Sequence, residues 1–410
     1  MRKIALLFLL ALCLAQPAWA GSESGVTADS RNVSASLLKV VKRQAERGNA
    51  EAQNILGFMY HDGQGVPKDH KKAAYWFRKA ARQGVAQAQY NLGVAYEQGW
   101  GVTKDYKQAE YWFRKAAEQE VPNAQFNLGL FYYDGRGVPK DYKKAAYWFR
   151  KAAEQGHINA QFNLGLMYAE GRGVPQDHKQ AVYWYRKAAG QGNVKAQHSM
   201  GINYYEGRSV TQDYKQAAHW FRMAAEQGDA GAQCSLGSMY SNGQGLPQDY
   251  MQAAYWFLKA AEQGDAEGQS NLGAMYFAGQ GVPNDYKNAF YWLRKAAAQG
   301  YAKAQYNLGL MYNEGSGVSQ DYEKAIHWFR KAAMQGIAQA QYNLGVKYLK
   351  GKSIAQNHVK AHLWFSLAAA QGDPEAKKAI DIITPDMTPQ QIAEAQRLAR
   401  EWKPTPAKTK

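Results

Sequence analysis

Nine tryptophans, Trp76, Trp112, Trp148, Trp184, Trp220, Trp256, Trp292, Trp328 and Trp364, follow one another 36 residues apart without a slip. The tyrosines Tyr60, Tyr96, Tyr132, Tyr168, Tyr204, Tyr240, Tyr276, Tyr312 and Tyr348 keep the same step, as do glycines from Gly63 to Gly351. A fixed period of roughly 20–50 residues marks a chain whose units bury their apolar faces only against one another. Residues 48–371 therefore read as nine units. Before them lie an N-terminal segment and cap helix (21–47), and after them C-terminal cap helices (372–403) and a disordered basic tail (404–410). The expected fold is all-α: a right-handed superhelical solenoid of nine 36-residue helix-turn-helix repeats with caps at both ends.

Each unit reads as two helices. Ala88, Leu92 and Tyr96 recur every fourth residue and share one helical stripe. Gly93 beside them removes a side chain and lets a neighbouring helix come close. Gly99 and Gly101 end the helix with permissive dihedrals. Asp105 stands where an N-cap belongs, opening a second helix that turns Ala109, Trp112, Phe113 and Ala116 inward. Alanine recurs in every unit at the positions of Ala73, Ala80 and Ala81, so helices nest tightly while one Trp and one Tyr per unit fill the remaining volume. Ser34 to Arg47 reads as the leading cap. Thr388-Pro389-Gln390-Gln391 is a capping box opening a last helix in which Ile392, Ala395, Ala399 and Trp402 face inward.

Residues 1–20 have a different layout. Arg2 and Lys3 precede an apolar run from Ile4 to Leu14, and Ala18-Trp19-Ala20 supplies a small-x-small cleavage signal. This is the pattern of a secretory signal peptide, the run being far short of the roughly 20 residues of a spanning helix. Its removal takes the net charge from +16 to +14 and leaves one cysteine, Cys234, so no internal disulfide is available. No later segment is long and apolar enough to anchor the chain in a bilayer. Composition (46% hydrophobic, mean hydropathy −0.59) excludes a disordered chain and a multi-span membrane protein. The expected location is exported: periplasmic, or the outer surface of a Gram-negative bacterium. Nucleic-acid binding suits the charge but not that compartment.

The consensus A-Q-x-N-L-G-x-x-Y-x-x-G-x-G-V-x-x-D-Y-x-x-A-x-x-W-F-R-K-A-A-x-Q-G, nearly spelled out from Ala124 to Gly156, resembles the Sel-one-like repeat, a relative of the tetratricopeptide repeat. The resemblance implies a scaffold for protein–protein contact, often in bacterial envelopes or at host surfaces. One cysteine-rich branch of that family implies an alternative, an envelope hydrolase binding β-lactams or peptidoglycan fragments. This chain lacks that branch's paired cysteines.

Opposite the core stripe of the first helices runs a column of amides: Asn91, Asn127, Asn163, Asn271, Asn307 and Asn343. An amide both donates and accepts, so such a row can pair with the backbone of an extended peptide, or it can bridge adjacent helices. On a solenoid this row lies along the concave face and is the candidate site for a protein or peptide partner. Beside it stand Asp62, Asp134, Glu170, Glu206 and Glu314. On the second helices, lysines from Lys71 to Lys287 align with Arg78, Arg114, Arg150, Arg186, Arg222, Arg294 and Arg330. These read either as solvated surface or as a convex basic belt for an anionic envelope polymer.

Reactive centres are sparse. Ser36-Leu37-Leu38-Lys39 fits S-x-x-K, but neither S-D-N nor K-T-G follows. His358 and His362 have the spacing of helical zinc ligands without the accompanying Glu. Cys234 stands in a column of aromatic residues and reads as a packed thiol. The chain is expected to hold no catalytic residue, metal or cofactor.

Overall fold

The computed structural model describes residues 28–405, and the signal-peptide reading of residues 1–20 lies outside them. Those residues form helices and no strand. They divide into two compact units, one ending at Ala196 and the other beginning at Gln197. The first holds the cap helix Ala28–Glu46 and hairpins built from first helices Ala50–Asp62, Ala86–Gln98, Pro122–Asp134 and Ile158–Glu170. Their second helices are His70–Arg82, Tyr106–Glu118, Tyr142–Glu154 and His178–Gly190. The second unit continues the pattern to the hairpin Ala338–Lys350 and His358–Ala370, then ends with Pro374–Ile383, a short 3-10 turn Thr384–Asp386 and Pro389–Glu401. In the first unit consecutive helices from Ala28–Glu46 to His178–Gly190 pack on one another, and in the second those from Tyr214–Glu226 to Pro374–Ile383 do the same, the arrangement of a solenoid.

The hairpin is set by local chemistry. Gly99 adopts φ +79°, which ends the first helix in a left-handed cap. The Asp105 N–H then donates to the Tyr96 carbonyl at 2.9 Å, closing the loop, while the Asp105 carboxylate accepts from the N–H groups of Lys107 (2.9 Å) and Gln108 (3.1 Å). The same closure joins Asp69 to Tyr60 at 2.8 Å and Asn357 to Tyr348 at 2.9 Å. Thr388 and Gln391 form the expected reciprocal box at the last helix, and Ala395 is buried there with Ile392, Ala399 and Trp402 packed around it.

Packing differs from expectation in one respect. The core belongs to the residue after each tryptophan: Phe113, Phe149, Phe329 and Phe365 are fully buried, whereas of the nine repeat tryptophans only Trp184 and Trp364 are buried. One residue along a helix is a rotation of about 100°, enough to move the indole off the stripe. There Trp76, Trp112 and Trp148 stack edge-on against Tyr75, Tyr111 and Tyr147 at centroid separations of 4.9–5.0 Å. The phenyl rings take the notch left by glycine. A Cβ on Gly93 would lie 2.6 Å from the Phe113 ring, and one on Gly129 would lie 2.6 Å from Phe149.

A buried glutamine in each repeat, unremarked in the sequence, ties the stack together. Gln89 Nε2 donates to the carbonyl of Ala81 in the preceding second helix (3.2 Å), and its Oε1 accepts from Gln119 at the end of its own hairpin (2.8 Å). Gln125 repeats this with Ala117 (3.2 Å) and Gln155 (2.8 Å), as does Gln341 with Ala333 (3.2 Å) and Gln371 (2.8 Å). Each amide is buried and satisfied, which makes the ladder directional as well as cohesive. The tail expected to be loose from residue 404 starts as bound chain: the Thr405 N–H donates to the Met334 carbonyl at 2.8 Å. Residues 406–410 lie outside the described residues.

Candidate partner-binding surface

In the second unit the first helices Ala230–Asn242, Ala266–Ala278 and Ala302–Glu314 touch one another across repeats, while no comparable contact joins the second helices among the described residues. Within that unit, first helices therefore lie closer together than second helices and take the inner side of its curve. The amide column sits in the seams between them. Asn91 is buried; its Nδ2 donates to Asn54 Oδ1 of the preceding repeat (3.2 Å) and its Oδ1 accepts from Gln87 (3.2 Å). Asn127 hydrogen-bonds Tyr90, Asn343 hydrogen-bonds Tyr306, and Asn271 reaches the Cys234 sulfur at 3.8 Å. Asn163 turns back to the carbonyl of Asn159 in its own helix (2.8 Å), and Asn307 is half-buried. Four of the six amides thus bridge adjacent first helices. The fully open positions beside them are those of Gln87 and Gln98.

The variable content of the inner face lies one position beyond the invariant tyrosine column. Residues 61, 97, 133, 169, 205, 241, 277, 313 and 349 are His, Glu, Tyr, Ala, Tyr, Ser, Phe, Asn and Leu. Tyr133 and Tyr205 each meet the start of their own second helix, at Tyr142 and Tyr214, and a side chain of the next repeat, Arg172 and Gln244. In the second join Arg136 pairs with Glu97 at 2.9 Å and with Asp134 at 2.6 Å. Burial nevertheless pushes the Glu97 carboxyl above its ordinary value, against the pull of Arg136. In the third join Arg172 donates to the Tyr133 hydroxyl at 2.6 Å and stands over the Tyr142 ring. In a later one Lys347 hydrogen-bonds Asn313 and lies over Tyr322.

The first join is occupied differently. His61, His70 and Trp100 cluster with ring centroids 4.9–5.7 Å apart, His70 stacked on Trp100 and His61 edge-on to His70 and tilted against Trp100, at the edge of a cavity of about 260 Å³. Phe58, Phe77, Tyr90 and Val94 complete its apolar wall, and Asn91 also lines it. No Lys, Arg, Asp or Glu is part of the lining. Sequence reasoning missed this site. Its only signal was that His61 and Trp100 each depart from the residues of their columns.

Both charge rows are largely answered from within. The acidic series is neutralised two residues on, Asp134 by Arg136 and Glu170 by Arg172 (2.9 Å), with Glu206 paired to Arg208 in the same way. The outer arginines reach the next repeat: Arg78, Arg114, Arg150, Arg222 and Arg330 donate to the hydroxyls of Tyr96, Tyr132, Tyr168, Tyr240 and Tyr348 at 2.6–3.3 Å. Lysines lie over exposed aromatic pairs instead, Lys79 over Tyr75 and Trp76, and Lys295 over Tyr291 and Trp292.

The remaining chemical candidates fall apart spatially. Ser36 and Lys39 are exposed on the cap helix. His362 is buried beside the Ser366 hydroxyl (3.2 Å), and burial lowers its pKa. Burial pushes the Cys234 thiol far up, away from a reactive thiolate. Among the described residues no three His, Cys, Asp or Glu side chains group as metal ligands. No described helix is long and apolar enough to cross a membrane.

The model of the family described as Sel1 repeat matches nine times, over 50–85, 86–121, 122–157, 158–193, 194–229, 230–265, 266–301, 302–337 and 338–373. These units share the period read from the sequence, shifted by two residues. Among solved structures, a protective antigen of uropathogenic Escherichia coli displaying an SLR fold is 35% identical, with a TM-score of 0.69, over 90% of this chain and 87% of that one. A Sel1 repeat protein from Oxalobacter formigenes is 34% identical, with a TM-score of 0.56, over 84% of this chain and 99% of that one. No curated protein matches the chain.

Proposed function

The chain belongs to the Sel1 repeat family, whose members are in general protein-interaction scaffolds, and from that premise we propose that it is an exported, non-enzymatic scaffold that captures a protein or peptide along its first helices. The observation that carries this reading is the contrast between two adjacent columns. The tyrosine column is tyrosine in all nine repeats, whereas the next residue, on the inner side, takes eight identities in nine repeats. A fixed frame that presents changing side chains at fixed intervals is what recognition of an extended partner needs, weak contacts adding over repeats. The amide column contributes rigidity to the seams, and its free edges add hydrogen bonds to the partner.

Export is proposed from residues 1–20, with the periplasm or the outer surface of a Gram-negative cell as destination. The outer lysine–aromatic pairs are a secondary surface for an anionic envelope polymer. A photo-cross-linking side chain placed at Ser241 or Asn313 should trap a partner in native envelopes, and the same group at Tyr255 should not. Cross-links confined to Tyr255 would reject the inner face. Steady hydrolysis of a chromogenic β-lactam by the purified chain, lost in S36A, would reject a non-enzymatic role.

A further inference from the structure

On the second helices of the first unit, a surface pattern returns at every step without serving the core. The four helices carry Tyr75, Tyr111, Tyr147 and Tyr183, each with a lysine four residues before it and another four after, as Lys71 and Lys79 flank Tyr75. Residues four apart share a helical face, so each helix presents one Lys–Tyr–Lys row. All twelve side chains are exposed, the tyrosines by 47–53%. Of the eight lysines, among the described residues, only Lys115 has a carboxylate within ion-pair reach, Glu118 at 4.0 Å. The frame does not need a tyrosine there. In the second unit His219, His327 and Leu363 take its place, and a complete row occurs once, around Tyr291.

The four helices hold 15 Lys and Arg against three Glu and no Asp, so a fitting partner is anionic. A row that returns unchanged, unlike the variable inner column, suits a partner that is itself repetitive. How the rings are held narrows its class. Each tyrosine lies edge-on to the tryptophan after it at 4.9–5.0 Å, and Lys79 and Lys187 stand over the rings of Tyr75 and Tyr183 at 4.8 Å. A nucleic-acid base needs an aromatic face on which to stack, and there an ammonium group already occupies one. What each row offers is a phenol hydroxyl and two ammonium groups, partners for hydroxyls and carboxylates. We propose that the first unit binds a linear acidic polysaccharide across its second helices, carboxylates meeting the lysines and sugar hydroxyls meeting the tyrosines. This rests on the reading of the outer lysine–aromatic pairs as a polymer surface, and it names the polymer. Each row binds weakly, and one chain spanning several rows adds them.

Titration calorimetry of the purified chain with galacturonic acid dimers, tetramers and octamers tests this. Affinity should rise about tenfold or more from dimer to octamer as further rows engage, and neutral dextran should not bind. K107Q/K143Q should weaken octamer binding about tenfold, and Y111F/Y147F about threefold through the lost hydroxyls. K287Q/K295Q, which removes the same charges from the isolated row of the second unit, should change it little. All these positions are exposed, and thermal melts check that each variant folds. Absence of octamer binding, affinity independent of length, or equal losses from the two lysine pairs would each overturn the proposal, the last by reducing it to net charge. Single-stranded DNA or phosphatidylglycerol vesicles bound through Lys107 and Lys143, with the octamer inert, would overturn the polysaccharide and keep the outer surface. Failure of all three probes would remove both. Cross-links at Ser241 and Asn313 report the inner face separately.

Discussion

The first and second joins are built on the same frame and hold different contents. Leu92 and Leu128, Phe77 and Phe113, and Gln89 and Gln125 superimpose in role, all buried. Above them the second join closes with the Glu97–Arg136 ion pair, whereas the first leaves two imidazoles and an indole around an open cavity. The difference teaches that in this chain packing and recognition are carried by separate columns. Changing an inner residue alters what a join can hold without disturbing what holds the join.

That separation predicts a graded series of effects. Leu92→Ala and Leu128→Ala should each cost about 2–5 kcal/mol in urea unfolding, and by similar amounts, because both leave the same cavity in the same frame. A clear disparity would mean the frame is not shared. Next in size, Arg136→Ala should destabilise by about 1 kcal/mol and shift the Glu97 titration, followed by NMR, further upward. His70→Phe removes an unpaired atom and should leave stability unchanged or slightly raised. Equal losses from the two would dissolve the contrast between a satisfied join and an open one.

The smallest effect is a difference in sign with pH. His70 has a lowered folded pKa, so its contribution is present at high pH and is lost as pH falls through the ordinary histidine range, about 6.5. Glu97 has a raised folded pKa, so its contribution is present below the ordinary carboxylate range, about 4.3, and is lost as pH rises through the folded value. Relative to the parent, H70F should therefore become comparatively more stable as pH drops from 7 to 5, and E97Q comparatively more stable as pH rises from 4 to 6. Melting curves of the three chains over that range decide it; matching trends would break the assignment.

Much of the fold was legible because a strict period states its own architecture. Gly93, Gly99 and Asp105 announced the close approach, the helix stop and the N-cap, and each behaves so. Periodicity fixes which residues recur, not the angle each presents, so Trp112 was placed inward together with Phe113, whereas only the phenyl ring is buried. The amide column was visible, but its use as bridges to Asn54, Tyr90 and Tyr306 depends on contacts 37 residues apart. The first-join cavity was hidden for a related reason. It arises where His61, His70 and Trp100, from two different repeats, all depart from the partners that fill the second join.

The glutamine ladder carries a consequence for how such a chain changes length. Gln125 and Gln161 use identical groups, taking carbonyls from Ala117 and Ala153 in turn. If residues 122–157 were excised, the helix opening at Ile158 would meet Tyr106–Glu118 with Gln161 facing Ala117, and the cut would heal without a mismatched seam. In-register recombination can therefore shuffle cassettes freely. What each event rewrites is the order of side chains a bound partner encounters.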